Sequence, residues 1–198
     1  LLKIRGQAMQ QAVPVGEGGM AALLGVGLEK ATEIAAAAAE GEICSPANDN
    51  GPDQVVLSGT AAAINRAVEI APEFGARRAI LLQVSAPFHC ALMAPAADVM
   101  AEALAKVDFA PPLVPLVANV TAAPTEEPGA IMRQLVTQVT GLVRWRETVL
   151  AMKEAGVDTL VEIGSGKVLS GLTRRIDRDL ASVSVSDAAG VEEFLKSL

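Results

Sequence analysis

The 198 residues carry a formal net charge of −7, and 51% are apolar against 20% charged. That balance describes a folded globular chain and argues against disorder and against a nucleic-acid partner. Aromatic residues make up 3%, with no Tyr and one Trp, so alanine and branched aliphatics fill the core, and base stacking has no platform.

The chain opens on "LLKIRGQAMQ", which reads as the middle of a helix, with no initiator Met and no secretory signal. "GMAALLGV" (19–26) is a short apolar strand. "LEKATEIAAAAAE" (28–40) follows as a helix, with Leu28, Ala31, Ile34, Ala35 and Ala38 at helical spacing. "EICSPANDNGPDQVVLSG" (42–59) reads as a strand, a polar loop over 48–54 and a second strand at "QVVLSG". "TAAAINRAVEIAPEFG" (60–75) is a helix with Thr60 as its N-cap, an apolar stripe of Ile64, Ala67, Val68 and Ala71, and Gly75 past its end. "RRAILLQV" (77–84) is another apolar strand. The order βαββαβ over about 70 residues is that of the split-βαβ, ferredoxin-like unit.

After residue 84 the rhythm changes to a helix at 92–106, a strand "LVPLVANV" (113–120), helices near 128–138 and 144–155, a strand at 158–164, a helix at 168–176 and a short strand "SVSVS". Strands alternating with helices imply a parallel sheet covered on both faces. The expected organisation is a small ferredoxin-like subdomain at 15–84 set into a larger α/β subdomain made of 1–14 and 85–198. The apolar run 79–97 has the length of a membrane span, but Gln83, Pro87, His89 and Pro95 interrupt it, and a strand, a turn and a helix start explain it better.

The one histidine, His89, lies in "SAPFHC" at the subdomain junction, between a strand and a helix, where α/β proteins place their sites. A lone histidine of near-neutral pKa is the usual general base, but it needs a nucleophile, and no GxSxG pattern is present. Cys44 and Cys90 are too few for a zinc cage or a disulfide framework, so free thiols in a reducing cytosol are expected, and Cys90 points away from its sequence neighbour. No metal site is expected. Arg5 is either a solvated helix residue or a bidentate clamp on a carboxylate. Asn48, Asn50 and Gln54 belong to a turn or reach across the cleft. "GSGKVLSGL" (164–172) offers backbone N–H groups to an anion but lacks the Walker spacing.

The collinear segments "RGQAMQQAVPVGEGGMAALLG", "CSPANDNGPDQVVLSG", "SAPFHCALMAPAA", "VPLVANV" and "VRW…GVDTLVEIGSGKVLSGL" closely resemble the malonyl-CoA:acyl carrier protein transacylases of bacterial fatty-acid synthesis. Polyketide-synthase acyltransferase domains share that fold. The resemblance implies an α/β fold with an α/β-hydrolase-like core and an inserted ferredoxin-like subdomain. It also implies ping-pong transfer of a malonyl group, through a serine, from malonyl-CoA to the phosphopantetheine thiol of acyl carrier protein, in the cytoplasm and without a resident cofactor.

On that resemblance His89 is the base and Gln138, in "TQVTGLVRW", is the glutamine whose backbone carbonyl orients it. Arg5 pairs with the malonyl carboxylate. Asn48, Met9 and Phe88 belong to the substrate pocket, the Phe88 ring crowding an α-methyl group. The resemblance also departs from the family: the GHSxG serine and the glutamine-rich oxyanion segment are absent. Both are expected upstream of Leu1, in the missing N-terminal segment of the same enzyme, and the chain corresponds to the C-terminal two-thirds. Sheet edges and apolar surface are then expected to be exposed. A non-catalytic fragment that only binds carrier protein or CoA is the alternative, for which Lys167, Arg174 and Arg175 would form a basic patch.

Overall fold

The computed structural model describes residues 1–196. A first helix, α1 (Leu2–Gln11), leads into β1 (Gly18–Leu24), α2 (Leu28–Ala39), β2 (Cys44–Gly51), β3 (Gln54–Thr60), α3 (Ala61–Ile70) and β4 (Arg78–Leu81). The four strands form one antiparallel sheet in the order β2-β3-β1-β4, the ferredoxin-like arrangement. Helices α2 and α3 cover one face. Their stripes, Ala31, Ile34, Ala35 and Ala38 with Ile64 and Ala67, bury against Ala21, Leu23, Val55 and Leu57. The small alanines let helix and sheet approach closely. Thr60 caps α3, its hydroxyl accepting from Ala63 N–H at 3.3 Å, and a 3₁₀ turn (Ala71–Phe74) ends at Gly75 with φ +90°.

Two strands differ from the sequence expectation. Residues 48–51 are not a loop: β2 runs to Gly51, and only Pro52 and Asp53 turn the chain. The polar run "NDN" stays extended with the Asp49 carboxylate and main chain partnered beyond the sheet, by Arg146 and Val143. Strand β4 keeps four residues of the expected eight. As an edge strand it leaves Ile80 and Leu81 exposed.

The second body begins with a 3₁₀ turn (Ala91–Met93) and α4 (Ala94–Leu104), followed by β5 (Leu116–Ala118), β6 (Ala123–Thr125), α5 (Pro128–Thr137), α6 (Trp145–Glu154), β7 (Thr159–Ile163), α7 (Val168–Ile176), β8 (Ala181–Val185) and α8 (Ala188–Lys196). Met9 of α1 and Val13 just past its end pack on Met93, Met100 and Leu104, with Val139 closing the cluster. The expected eight-residue strand at 113–120 is only β5, and it pairs antiparallel with β6. Among the described residues a single parallel bridge joins Asn48 to Val143, and the one parallel pair of strands is β7 and β8. That pair is not covered on both faces, since Ile163 is 79% exposed.

A groove of about 300 Å³ lies between β5, α6, β7 and α7, lined by Val117, Trp145, Met152 and Leu160. Trp145 Nε1 and Thr148 Oγ1 are buried along it without a hydrogen-bond partner. No described helix is long and apolar enough to cross a membrane.

Candidate active site

The segment that carries His89 is anchored by its neighbours. Ala86, Pro87 and Cys90 are buried, and the Cys90 thiol donates to the Pro87 carbonyl at 3.2 Å, away from the imidazole. Burial also pushes the Cys90 pKa up, so this thiol is a packing group. Phe88 packs between the Met9–Met93 cluster and a smaller one of Met20, Ala47 and Val56 on the open face of the small sheet. His89 itself holds φ +60°, a left-handed conformation that non-glycine residues adopt at some strain. The reversal turns its ring out of the buried run and into a cavity.

That cavity measures about 520 Å³ and is lined by Arg5, His89, Asn119, Gln138 and Val143, with Leu1, Leu2, Met100, Leu104 and Leu135 as apolar walls. His89 Nδ1 lies 3.0 Å from the Gln138 backbone carbonyl oxygen. A carbonyl only accepts, so Nδ1 carries the proton and Nε2 keeps its lone pair. The Gln138 side-chain amide also comes within 3.3 Å of Nδ1, but it donates to the Gly141 carbonyl at 3.0 Å, which leaves the ring proton to the main chain. Burial lowers the His89 pKa. The Gln138 and Gly141 carbonyls pull it upward, while the Arg5 charge pushes it down further. The imidazole is thus held neutral and basic at Nε2. Arg5, half-buried on α1, has its own pKa lowered by burial, and its guanidinium shares the cavity with the ring.

Three residues expected in the pocket lie elsewhere. Met9 is buried on the inner face of α1, and Phe88 packs between two apolar clusters. Asn48 sits on β2, paired with Val56 and bridged to Val143. None of the three lines the cavity. Asn119 and Val143 do line it and were not singled out from the sequence. Asn119 ends the apolar run "LVPLVAN", and position at a strand's carboxyl end is the signal that could have found it. No serine hydroxyl partners His89 among the described residues.

The α7 N-terminus is not open to an anion. The Glu162 carboxylate accepts from Ser170 N–H at 2.8 Å and Leu169 N–H at 3.1 Å, which occupies the groups a phosphate would need. Of the three basic candidates nearby, Lys167 and Arg174 are exposed, and Arg175 donates to Gln54 Oε1 at 2.8 Å. Among the described residues no group of three or more His, Cys, Asp or Glu is placed to hold a metal ion.

Residues 1–191 match the family model described as the acyl transferase domain. The chain is 46% identical, over 98% of its length, to the malonyl CoA-acyl carrier protein transacylase of Haemophilus influenzae, and 42% identical, over 99%, to that of Escherichia coli K12. It spans 64% and 63% of those two proteins. Among solved structures it resembles an acyl-carrier-protein-S-malonyltransferase from Bartonella henselae, with a TM-score of 0.95 at 53% identity, covering 99% of this chain and 62% of that one. It also resembles a structure described as a type II polyketide-synthase acyl-carrier protein in complex with its malonyl-transacylase, with a TM-score of 0.96 at 42% identity, covering 100% and 64%.

Proposed function

This chain belongs to the acyl transferase domain family, and we propose from that membership that it supplies the base and the acyl-recognition arginine of a malonyl-CoA:acyl carrier protein transacylase. The observation that carries the proposal is the shared cavity: a neutral imidazole, tautomer-locked by the Gln138 carbonyl, shares it with the half-buried Arg5 guanidinium. A base alone fits many hydrolases. A base beside a half-buried arginine fits an acyl group that ends in a carboxylate.

In this reading a serine from outside the described residues attacks the malonyl thioester carbonyl, and its proton passes to His89 Nε2. The tetrahedral intermediate expels CoA thiolate, which takes that proton. In the second half the phosphopantetheine thiol of acyl carrier protein gives its proton to His89 and attacks the acyl-serine, and the serine oxygen recovers the proton as it leaves. Arg5 holds the malonyl carboxylate throughout. No resident cofactor is needed, and a cytoplasmic setting is part of the proposal. So is the division into a small subdomain at 15–84 and a larger one from 1–14 and 85–198. The rest of such an enzyme would pack on the groove between β5 and β7, whose walls include Val117, Trp145, Met152 and Leu160.

The test is acylation of the full-length protein. Incubation with malonyl-CoA should add one malonyl group by intact mass, and holo acyl carrier protein should then remove it. A protein that stays unmodified, or that takes acetyl-CoA equally well, would overturn the assignment.

A further inference from the structure

Among the described residues one carboxylate is fully buried with a charged partner far away in sequence. Asp49 has 0% exposure, and Arg146, 97 residues later, grips it: Nε lies 2.9 Å from Oδ2 and 3.2 Å from Oδ1, and Nη2 lies 2.9 Å from Oδ2. Nothing in the transfer chemistry uses either residue. Their position does connect to it.

Strand β2 is bulged on both sides of the Asn48–Asp49 pair, with register shifts at Pro46/Asn48 and Asp49/Gly51. Bulges re-aim side chains, and here they turn Asp49 off the small sheet toward α6. The same stretch of β2 holds Val143 from both sides: Val143 N–H donates to the Ala47 carbonyl and Asp49 N–H to the Val143 carbonyl, each at 2.8 Å. Val143 lines the cavity, and five residues before it Gln138 orients the His89 ring. The short strap 138–143 is therefore tied to the imidazole at one end and to the small sheet at the other, and Arg146 fastens the sheet end.

We infer that Asp49 and Arg146 are positioning residues, which lock the strap that carries Gln138 to the small sheet and so fix the orientation of His89. The inference rests on His89 acting as the base. A fork on a fully buried carboxylate sets register where two hydrogen bonds alone leave slack. Arg144 is the other cation close enough to interact with Asp49, and its guanidinium is held by Glu147.

The experiment uses the full-length protein and the double variant Asp49→Leu/Arg146→Met. Apolar groups of similar volume often replace a buried ion pair with the fold intact, whereas single removal strands a buried charge. Two readouts are taken. Amide exchange over 138–144 should accelerate by about tenfold or more while β3 stays protected, because the strap opens locally without global unfolding. Malonyl transfer should lose about ten- to a hundredfold in kcat with KM for malonyl-CoA nearly unchanged, since ångström-scale misplacement of a base costs rate, not binding. Arg146→Lys, which keeps the cation and loses the fork, should fall between.

Unchanged exchange over the strap overturns the inference, and so does a kcat loss that merely tracks the unfolded fraction. Failure of the unaltered protein to take a malonyl group overturns the proposed function instead. The exchange result still decides whether the pair locks the strap.

Discussion

His89 Nδ1 and the main-chain oxygen of Gln138 stand 3.0 Å apart, so the group that orients the base is a backbone atom and not a side chain. Two substitutions should separate accordingly. Gln138→Ala removes the amide that bonds Gly141 but keeps the carbonyl, and transfer should fall by less than about tenfold. Loss of the imidazole should cost about 10²–10⁴-fold. His89→Asn is the better probe for that loss, because asparagine tolerates the left-handed backbone that His89 adopts at φ +60°. Steady-state transfer with matched melting curves distinguishes the two. Equal losses in both variants would mean that the side-chain amide, not the main chain, sets the ring.

The pH dependence follows from the same contacts. Burial holds the His89 pKa below its ordinary 6.5, and the Arg5 charge lowers it further. The base therefore stays neutral to a pH below 6.5, and the acid limb of kcat/KM should lie there. A malonyl carboxylate seated on Arg5 offsets the cation, so the acid limb of kcat, which reports the bound enzyme, should lie higher than that of kcat/KM. Stability moves in the same window. The unfolded chain binds a proton that the folded one refuses, so stability falls as pH drops from about 6.5 toward the lowered value, and is unaffected by this group above 6.5. Profiles of kcat and kcat/KM with coincident acid limbs would remove the coupling between Arg5 and His89.

Arg5→Met should abolish the preference for a carboxylate-bearing acyl group. We expect malonyl-CoA kcat/KM to drop by about 10²-fold or more, the order of a lost charge-assisted pair of about 3 kcal/mol. Acetyl-CoA should change little or improve. Competition between the two thioesters, read by intact mass of the acylated protein, measures the ratio. An unchanged ratio would assign carboxylate recognition to another residue.

Much of this was legible in the sequence because it depends on local periodicity. The alanine-rich stripes of α2 and α3, Thr60 as a cap and Gly75 as a stop gave the small sheet its helices, and the βαββαβ order gave its topology. His89 and Arg5 could be singled out as candidate chemistry. Their meeting in one cavity could not be read from spacing, because they lie 84 positions apart with the whole four-stranded sheet between them in the chain. The strand identity of "NDN" was hidden for a related reason. The strand stays extended there because Arg146 binds the Asp49 carboxylate and Val143 pairs with the main chain of Ala47 and Asp49, and no local pattern reports that. The shortness of β5 and its antiparallel partner likewise depend on tertiary contacts rather than on the apolar run that suggested a longer strand.

Strand β1 runs close against the histidine segment at Gly18. An added Cβ on Gly18 would lie 2.6 Å from Pro87 Cδ and 2.9 Å from Pro87 Cβ, well inside van der Waals contact. The proline ring is rigid and buried, and it sits two residues before His89. Gly18→Ala must therefore move either β1 or the loop. Strand β1 is central, paired along its length with β3 and also with β4, so the loop should give way. Overpacking of this kind costs about 1–3 kcal/mol. Displacement of Pro87 should carry His89 off the Gln138 carbonyl and reduce kcat beyond the loss of folded protein. Gly6→Ala, in α1 beside Arg5, is the control: its Cβ meets nothing within 4 Å. An exposed helical glycine replaced by alanine should gain up to about 1 kcal/mol. Denaturant melts of both variants, with kcat measured where each is fully folded, test the contrast. A Gly18→Ala protein with wild-type stability and rate would show that the Pro87 segment is free to shift without disturbing the base.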